Sequence, residues 1–150
     1  MKKTECLISL SSEETEAFGA ALAKEMLADP ALPPFVALFG DLGVGKTAFV
    51  RGFASVIAPG AAVRSPTFAL VNEYRARPRS LFHFDMYRIE DEDDLWSIGF
   101  YDYLDRAGIC LVEWSEKILY ALPDRLIRVT IEKNDPSRPD SRSLTVEWIE

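Results

Sequence analysis

Residues Gly40–Thr47 read G-D-L-G-V-G-K-T, which matches the phosphate-binding loop pattern G-x-x-x-x-G-K-[ST] at every fixed position. The apolar run Phe35–Phe39 precedes the loop and is typical of a buried strand. The segment Ala48–Ala54 follows it and is typical of a helix packed on a sheet. Strand, glycine-rich loop and helix in this order present backbone N–H groups and a helix N-terminus to a phosphate. The stretch therefore predicts a nucleotide-binding site.

The motif also predicts what its own residues do. Lys46 is expected to reach the β- and γ-phosphates, and the Thr47 hydroxyl is expected to ligate Mg²⁺. A glycine-rich turn with a chance lysine is the alternative, but the pattern and its flanking segments both favour the phosphate site. The rest of the nucleotide contact is expected from the loop itself, formed by Asp41, Leu42, Gly43, Val44 and Gly45.

Length and charge limit the possible functions. The 150 residues, 48% of them hydrophobic, suit one compact domain over 1–150 and leave little chain for a separate substrate domain. The net charge of −7 argues against autonomous tRNA binding, because phosphate neutralisation needs clustered Lys and Arg. With no apolar run near the roughly 18 residues of a membrane span, we expect a cytoplasmic protein without a membrane segment. Cys6 and Cys110 lie in strand-like segments and are expected to be buried thiols.

The hydrophobic patterns predict an α/β fold, namely a P-loop NTPase-like three-layer domain with a mixed parallel and antiparallel sheet. Ser11 and Glu14 form a capping box that starts a helix ending near Ala28. Further helices are predicted after the loop, over Asp91–Ile98, and from Gly99 to about Arg106. Strands are predicted at Cys6–Leu10, Phe35–Phe39, Phe68–Tyr74, Leu81–Tyr87, Ile109–Val112, Arg125–Glu132 and Ser143–Trp148. The short polar link Arg75–Ser80 predicts an antiparallel hairpin between the third and fourth of these strands, and a turn-rich stretch over 134–140 separates the last two.

Two carboxylates are candidates for the chemistry. Glu113 directly follows a predicted buried strand, which would bring it to the carboxyl edge of the sheet beside the loop, where a Mg²⁺-associated acid is needed. A surface carboxylate at a strand end is the alternative. Asp85 alternates with His83 and Tyr87 on one face of its strand. That polar face fits a site and an exposed hairpin face equally well, and His83 by itself is interpreted as structural.

Other segments carry weaker signals. Thr67 follows a proline turn and could sense a γ-phosphate, but a simple turn into a strand is the favoured interpretation. The acidic run Asp91–Asp94 fits a solvated first helical turn better than a metal cluster. The run Glu132–Asp135 is similar to a guanine-reading motif but lacks its first residue, so we interpret it as a loop. Five arginines are interpreted as solvated loop charges, with the alternative that one of them neutralises transition-state charge or contacts a partner: Arg64, Arg75, Arg77, Arg79 and Arg88.

Several blocks in order resemble one family. They are G-D-L-G-V-G-K-T, S-P-T-F-A-L-V-N-E-Y, H-F-D-M-Y-R, I-G-F-Y-D-Y-L and L-V-E-W-S-E-K, and together they span Gly40–Lys117. The chain resembles the TsaE (YjeE) family of small bacterial P-loop ATPases, which are required for threonylcarbamoyladenosine modification of tRNA. Departures are mild: Ala48 stands where a second Thr is common, and Ser115 where Pro is frequent.

The resemblance implies specific roles. Thr67 is similar to the family's switch threonine, and Asp85 to the acid near the γ-phosphate that hydrolysis needs. Glu113 is similar to the Mg²⁺-associated glutamate, and Trp114 to the tryptophan beside the nucleotide. Thr15, at the start of the first helix, is implied to lie near the adenosine. The implied cofactors are ATP and Mg²⁺, and the implied partners are TsaB and TsaD, the latter being the transferase.

The resemblance implies a partner-activated ATPase that resets the TsaB–TsaD complex. An ATP-gated binding module with incidental hydrolysis is a second hypothesis. A small-molecule P-loop kinase is a third, which the short chain disfavours because a lid and an acceptor pocket need more residues.

Overall fold

The computed structural model describes residues 2–41, 43–63 and 70–150. Among these residues, seven strands form one sheet and four α-helices flank it, with a 3₁₀ helix over Ser115–Ala121. The helices are α1 (Ser12–Ala28), α2 (Lys46–Ile57), α3 (Glu92–Ser97) and α4 (Phe100–Leu104). The strands are β1 (Lys2–Ser9), β2 (Phe35–Phe39), β3 (Val71–Tyr74), β4 (Leu81–Asp85), β5 (Ile109–Glu113), β6 (Leu126–Asp135) and β7 (Arg138–Ile149).

The sheet is mixed, with strand order β1-β7-β6-β2-β5-β4-β3. Strand β2 is central and runs parallel to both neighbours, β5 and β6, and β4 runs parallel to β5. Antiparallel strands complete both edges, β3 on one side and β7 with β1 on the other. The carboxyl ends of β2, β5 and β4 therefore meet at one edge of the sheet, where ligands of open α/β folds bind.

Two apolar clusters cover the two faces of the sheet, because side chains alternate along each strand. Val36 and Leu38 of β2 join the cluster formed with α1 and α2. Phe35 and Ala37 join the opposite cluster, which packs against α3, α4 and the 3₁₀ helix. Helix, sheet and helix thus form three layers, and the predicted α/β fold class is confirmed.

Helices α1 and α2 cross at unusually close range. A Cβ atom at Gly19 would overlap the backbone oxygen of Phe49, and one at Gly52 would overlap that of Glu16. The absence of side chains at these two positions lets the backbones touch. This contact fixes α2, and with it the phosphate-binding loop, against the first helix.

Several predicted boundaries were wrong at the sheet edges. Strand β1 begins at Lys2 rather than Cys6, and β4 ends at Asp85 rather than Tyr87. Strands β6 and β7 extend until only Pro136 and Ser137 separate them, so the Glu132–Asp135 run lies in β6 rather than in a loop. Pairing between the two long strands overrides the turn-forming composition of 134–140. The predicted strand start at Phe68 lies outside the described residues.

The cysteine prediction was half right. Cys110 is buried on β5, whereas Cys6 is exposed on β1. Cys6 pairs with Thr145 through the backbone, yet its side chain points away from the core. A strand at the edge of a sheet can expose alternate side chains even where its sequence is apolar.

Candidate functional site

The phosphate-binding loop connects the end of β2 to the start of α2. Gly45 precedes α2 with φ +106°, a left-handed conformation that favours glycine. A Cβ atom on Gly40 would lie 2.6 Å from the backbone oxygen of Ile131, so only glycine fits beside β6 there. The N-terminus of α2 faces the loop and carries partial positive charge. Leu42 lies outside the described residues.

Lys46, the first residue of α2, lies across this loop. Its Nζ donates a hydrogen bond of 2.6 Å to the backbone oxygen of Gly40 and lies 3.6 Å from the ring centre of Trp114. Burial lowers the pKa of Lys46, and the carboxylates of Glu116 and Glu113, with more distant acids, partly offset that effect. A phosphate oxygen would satisfy this buried cation better than the neutral carbonyl does.

Glu113 ends β5, the strand beside β2, as the sequence predicted. Its carboxylate is buried and lies 2.6 Å, Oε2 to Nε2, from the buried His83. Because both groups are buried, the alternative that Glu113 is a surface carboxylate at a strand end is wrong. His83 comes from the neighbouring strand β4, and the two side chains form a hydrogen-bonded pair beneath the edge of the sheet.

Asp85 ends β4 directly opposite Glu113 in the parallel register. Its Oδ1 accepts a hydrogen bond of 3.0 Å from the backbone N–H of Tyr87. Partial burial raises the pKa of Asp85, opposed by that hydrogen bond, and the nearby charge of Glu113 raises it further. The structure therefore brings Lys46, Asp85 and Glu113 together, whereas the polar face of β4 considered alone fitted a site and a hairpin surface equally.

The described residues fit a Mg²⁺ ion held partly by nucleotide. Thr47 is exposed at the start of α2, and Glu113 supplies a buried carboxylate at the adjacent strand end. Within the described ranges, no group of three or more His, Cys, Asp and Glu side chains could hold a metal ion. Mg²⁺ commonly uses one or two protein ligands with phosphate oxygens and water, so one hydroxyl and one carboxylate match that donor set.

A cleft of about 170 Å³ opens beside the loop. Thr15 lines it, buried on α1, with its Oγ1 2.7 Å from Oγ of Ser9. The side chain of Thr15 also approaches Gly45, so the first turn of α1 borders the phosphate-binding loop. The contact with the adenosine that the resemblance implied for Thr15 stays a prediction.

Arg142 of β7 also lines this cleft, and the sequence analysis missed it. Its Nε donates 2.8 Å to the backbone oxygen of Val44, so the β6–β7 hairpin holds the loop from outside. One guanidinium nitrogen donates to backbone oxygens of Pro139 and Ser141. No local motif marks Arg142, because strand pairing across the long hairpin brings it to the loop.

The remaining predicted residues are placed as follows. Asp41 is exposed in the loop, and Trp114 directly precedes the 3₁₀ helix with φ +58°. Thr67 lies outside the described residues, so its switch role stays a prediction. Asp91 caps α3 by accepting from the backbone N–H of Asp94, which confirms the interpretation of the acidic run as a helix start. Arg75 pairs with Glu73 rather than with any site residue.

None of the helices described is both long enough and apolar enough to cross a membrane.

Residues 9–144 match the family model described as threonylcarbamoyl adenosine biosynthesis protein TsaE. A protein of Haemophilus influenzae named tRNA threonylcarbamoyladenosine biosynthesis protein TsaE is 44% identical over 103 residues, covering 69% of this chain and 65% of that protein. The Bacillus subtilis protein of the same name is 36% identical over 137 residues, covering 91% of this chain and 81% of its own.

A solved structure agrees in fold. The crystal structure of Bacillus subtilis YdiB superposes with a TM-score of 0.77 and 29% sequence identity, covering 100% of this chain and 88% of the other. The similarity thus extends beyond the segment that carries the sequence motifs, into the β6–β7 hairpin and β1.

Proposed function

The chain belongs to the TsaE family of threonylcarbamoyl adenosine biosynthesis proteins, and from this premise we propose that it binds ATP with Mg²⁺, hydrolyses it, and thereby resets a TsaB–TsaD complex between rounds of tRNA modification. The family acts in the biosynthesis of this modified nucleoside of tRNA. The place of ATP, Mg²⁺ and the two partner proteins is the proposed part.

One observation carries the proposal. The buried ammonium of Lys46 lies on a complete phosphate-binding loop, within electrostatic reach of Glu113 and Asp85 from two adjacent strand ends. A purely structural lysine would not need a buried and a half-buried acid from two adjacent strand ends beside it. The same set of groups is what nucleoside triphosphate hydrolysis needs.

Each group of residues has a separate role in the proposed mechanism. Loop N–H groups and Lys46 bind and orient the phosphates. Thr47 and Glu113 would hold Mg²⁺, which when bound neutralises developing phosphate charge. Asp85 would accept a proton from the attacking water. Its raised pKa makes the ionised carboxylate a stronger base than an exposed one. Thr67 is proposed to link the γ-phosphate to the partner complex.

Two alternative functions differ from this proposal in what they require. An ATP-gated binding module would need the nucleotide but not its cleavage. A small-molecule kinase would need an acceptor pocket, and neither Asp85 nor Glu113 lines the described cleft of about 170 Å³ beside Thr15. We therefore rank the kinase last.

The test measures steady-state ATP hydrolysis by the chain alone, with TsaB, with TsaD and with both. We expect slow hydrolysis alone and an increase with both partners, since trans-supplied groups raise hydrolysis by about 10³–10⁵ in comparable enzymes. Thr67→Ala should bind ATP but lose the stimulation. Multiple-turnover tRNA modification with a non-hydrolysable ATP analogue separates the alternatives, because full turnover would contradict the reset and support the binding module.

A further inference from the structure

The most exposed large apolar side chains of the described residues gather in one part of the chain. Four of the six lie between positions 87 and 120: Tyr87 at 57%, Trp96 at 61%, Leu119 at 60% and Tyr120 at 56%. Burying such side chains is favourable by about 25 cal/mol per Å². Grouped exposure of this kind marks interaction sites on protein surfaces.

We call these four exposed side chains, together with Tyr101, the aromatic face. The rings of Trp96 and Tyr101 lie 4.5 Å apart between α3 and α4. Partial desolvation raises the pKa of both Tyr101 and Tyr120, and the negative charge of Glu92 raises both further. Tyr101, Tyr120 and Glu92 therefore lie in one neighbourhood. The 3₁₀ helix carries Leu119 and Tyr120 beside them.

The segment that carries the aromatic face also holds most of the chain's net charge. Residues 86–121 contain nine acidic and three basic side chains, a net of −6. The whole chain has 24 acidic and 17 basic side chains, so the remainder holds 15 and 14, a net of −1. The acids beside the rings are exposed in and around α3 and α4, among them Glu92, Asp93 and Asp102.

We propose that the aromatic face is the docking surface for a partner protein whose own surface has an apolar centre ringed by lysine and arginine. Aromatic side chains would supply contact area at the centre, and the acids would orient and accelerate docking. This inference rests on the proposed function, in which the partner is the TsaB–TsaD pair.

Charge excludes the two other occupants of such a surface. A nucleic acid would be repelled, because its binding requires clustered cations rather than a net of −6. A second copy of this chain would place two such acidic surfaces against each other, which like-charge repulsion disfavours. A basic protein surface is the occupant whose charge complements this one.

The position of the aromatic face links docking to the nucleotide. The ring of Tyr87 lies 5.0 Å from that of Trp114, which in turn lies 3.6 Å over Nζ of Lys46. A partner seated on Tyr87 is therefore two side chains from the cation that would bind the phosphates. Trp114 therefore contacts both Tyr87 of the aromatic face and Lys46 of the phosphate-binding loop.

The test measures affinity of the intact chain for the purified TsaB–TsaD pair by titration calorimetry. Trp96→Ala combined with Tyr120→Ala should raise Kd at least about tenfold. Asp93→Lys combined with Asp102→Lys should raise Kd similarly and flatten its dependence on salt between about 0.05 and 0.5 M. The matched controls, Ile8→Ala and Glu5→Lys, lie on β1 at the opposite side of the sheet and should leave Kd unchanged.

Each outcome decides the matter. Wild-type affinity in both face variants would overturn the docking surface while leaving the proposed function intact. Loss of binding in the face variants, together with full multiple turnover on a non-hydrolysable ATP analogue, would support the surface and overturn the reset. Failure of the wild type to bind the pair would overturn both the docking surface and the proposed function.

Binding of tRNA by the chain alone, or a dimer abolished by the face variants, would assign the surface to another occupant and refute the proposal. Circular dichroism of each variant establishes that it is folded.

Discussion

The Nε2 atom of His83 lies 2.6 Å from Oε2 of Glu113, and both side chains are buried on adjacent parallel strands. In the register of β4 and β5, Glu113 stands opposite Asp85 rather than His83, so the bond runs diagonally across the strand pair. It fixes the direction in which the Glu113 carboxylate faces. Hydrogen-bonded partners of this kind orient metal-ligating carboxylates and tune the affinity of the site.

His83→Ala should therefore weaken Mg²⁺-dependent nucleotide binding by about 10- to 100-fold. Affinity for metal-free ADP should change little, because His83 acts as a positioning residue for Glu113 and not for the phosphates. Calorimetric titration of ADP with and without Mg²⁺ measures both values. His83→Gln keeps an N–H donor on the side chain and should recover part of the Mg²⁺ dependence. Equal losses with and without the metal would show that His83 is only a packing residue.

Lys46→Ala removes the buried cation from the phosphate-binding loop. A charge-assisted contact to phosphate contributes about 1.5–3 kcal/mol, so we expect nucleotide affinity or turnover to fall by roughly 10- to 150-fold. Lys117→Ala is a control at an exposed lysine of the 3₁₀ helix and should have no such effect. Unchanged ATP titration and ATPase rates in a folded Lys46→Ala variant would remove the loop from the mechanism.

Asp85→Asn should separate activity from stability. Because burial raises the pKa of Asp85, its protonated form contributes stability that is present below the ordinary carboxyl pKa and is lost as pH rises through the raised one. At neutral pH the ionised side chain costs stability, so the variant should unfold at the same or a slightly higher temperature. This difference should vanish in acid. Hydrolysis should fall by about 10²–10⁴, since the variant cannot accept a proton.

Thermal unfolding at several pH values and single-turnover hydrolysis test the two halves of that prediction. Glu113→Gln is the comparison, because it should weaken Mg-ATP more than metal-free nucleotide. Equal losses of ATP affinity in both variants, with normal single-turnover rates, would contradict this division of roles.

The parts that the sequence predicted are those fixed by short stretches of chain. Strand β2, the loop and α2 form one continuous motif, and their glycine and lysine positions are set by local backbone requirements. Glu113 was predicted because it directly follows a buried strand, and the carboxyl ends of parallel strands lie at the same edge of a sheet. The capping box at Ser11 was equally local, and its side chain accepts from the backbone N–H of Glu14.

What the sequence missed depends on pairing between distant segments. The bond from His83 to Glu113 joins residues 30 positions apart and follows from the β4–β5 register. Arg142 contacts the loop 98 positions away because the β6–β7 hairpin is longer than its turn-rich composition indicates. Neither contact leaves a periodic or motif signal in the residues themselves.

The two cysteines should differ in reactivity. Cys6 is exposed on β1, whereas Cys110 is buried on β5 and desolvation raises its pKa to about 12. Thiolate is the reactive form, so one thiol per chain should react rapidly with a disulfide reagent and the second only after unfolding. Cys6→Ser should abolish the rapid phase. Two rapid thiols in the native protein would contradict the burial of Cys110.

Gly52→Ala should destabilise the protein through the contact between α1 and α2. In an isolated helix, alanine would be favoured over glycine by about 1 kcal/mol. Here its Cβ would overlap the backbone oxygen of Glu16, which cannot move without shifting α1. We expect a net loss of about 1–3 kcal/mol in the free energy of unfolding, measured by denaturant titration. Since α2 carries Lys46, nucleotide affinity should fall as well.

Arg51→Ala, on the exposed side of the same helix, loses only a 3.6 Å ion pair with Glu16 and should change stability by less than about 0.5 kcal/mol. A Gly52→Ala variant as stable as the Arg51→Ala control would mean that the helix crossing adjusts, and that glycine at position 52 does not fix the loop.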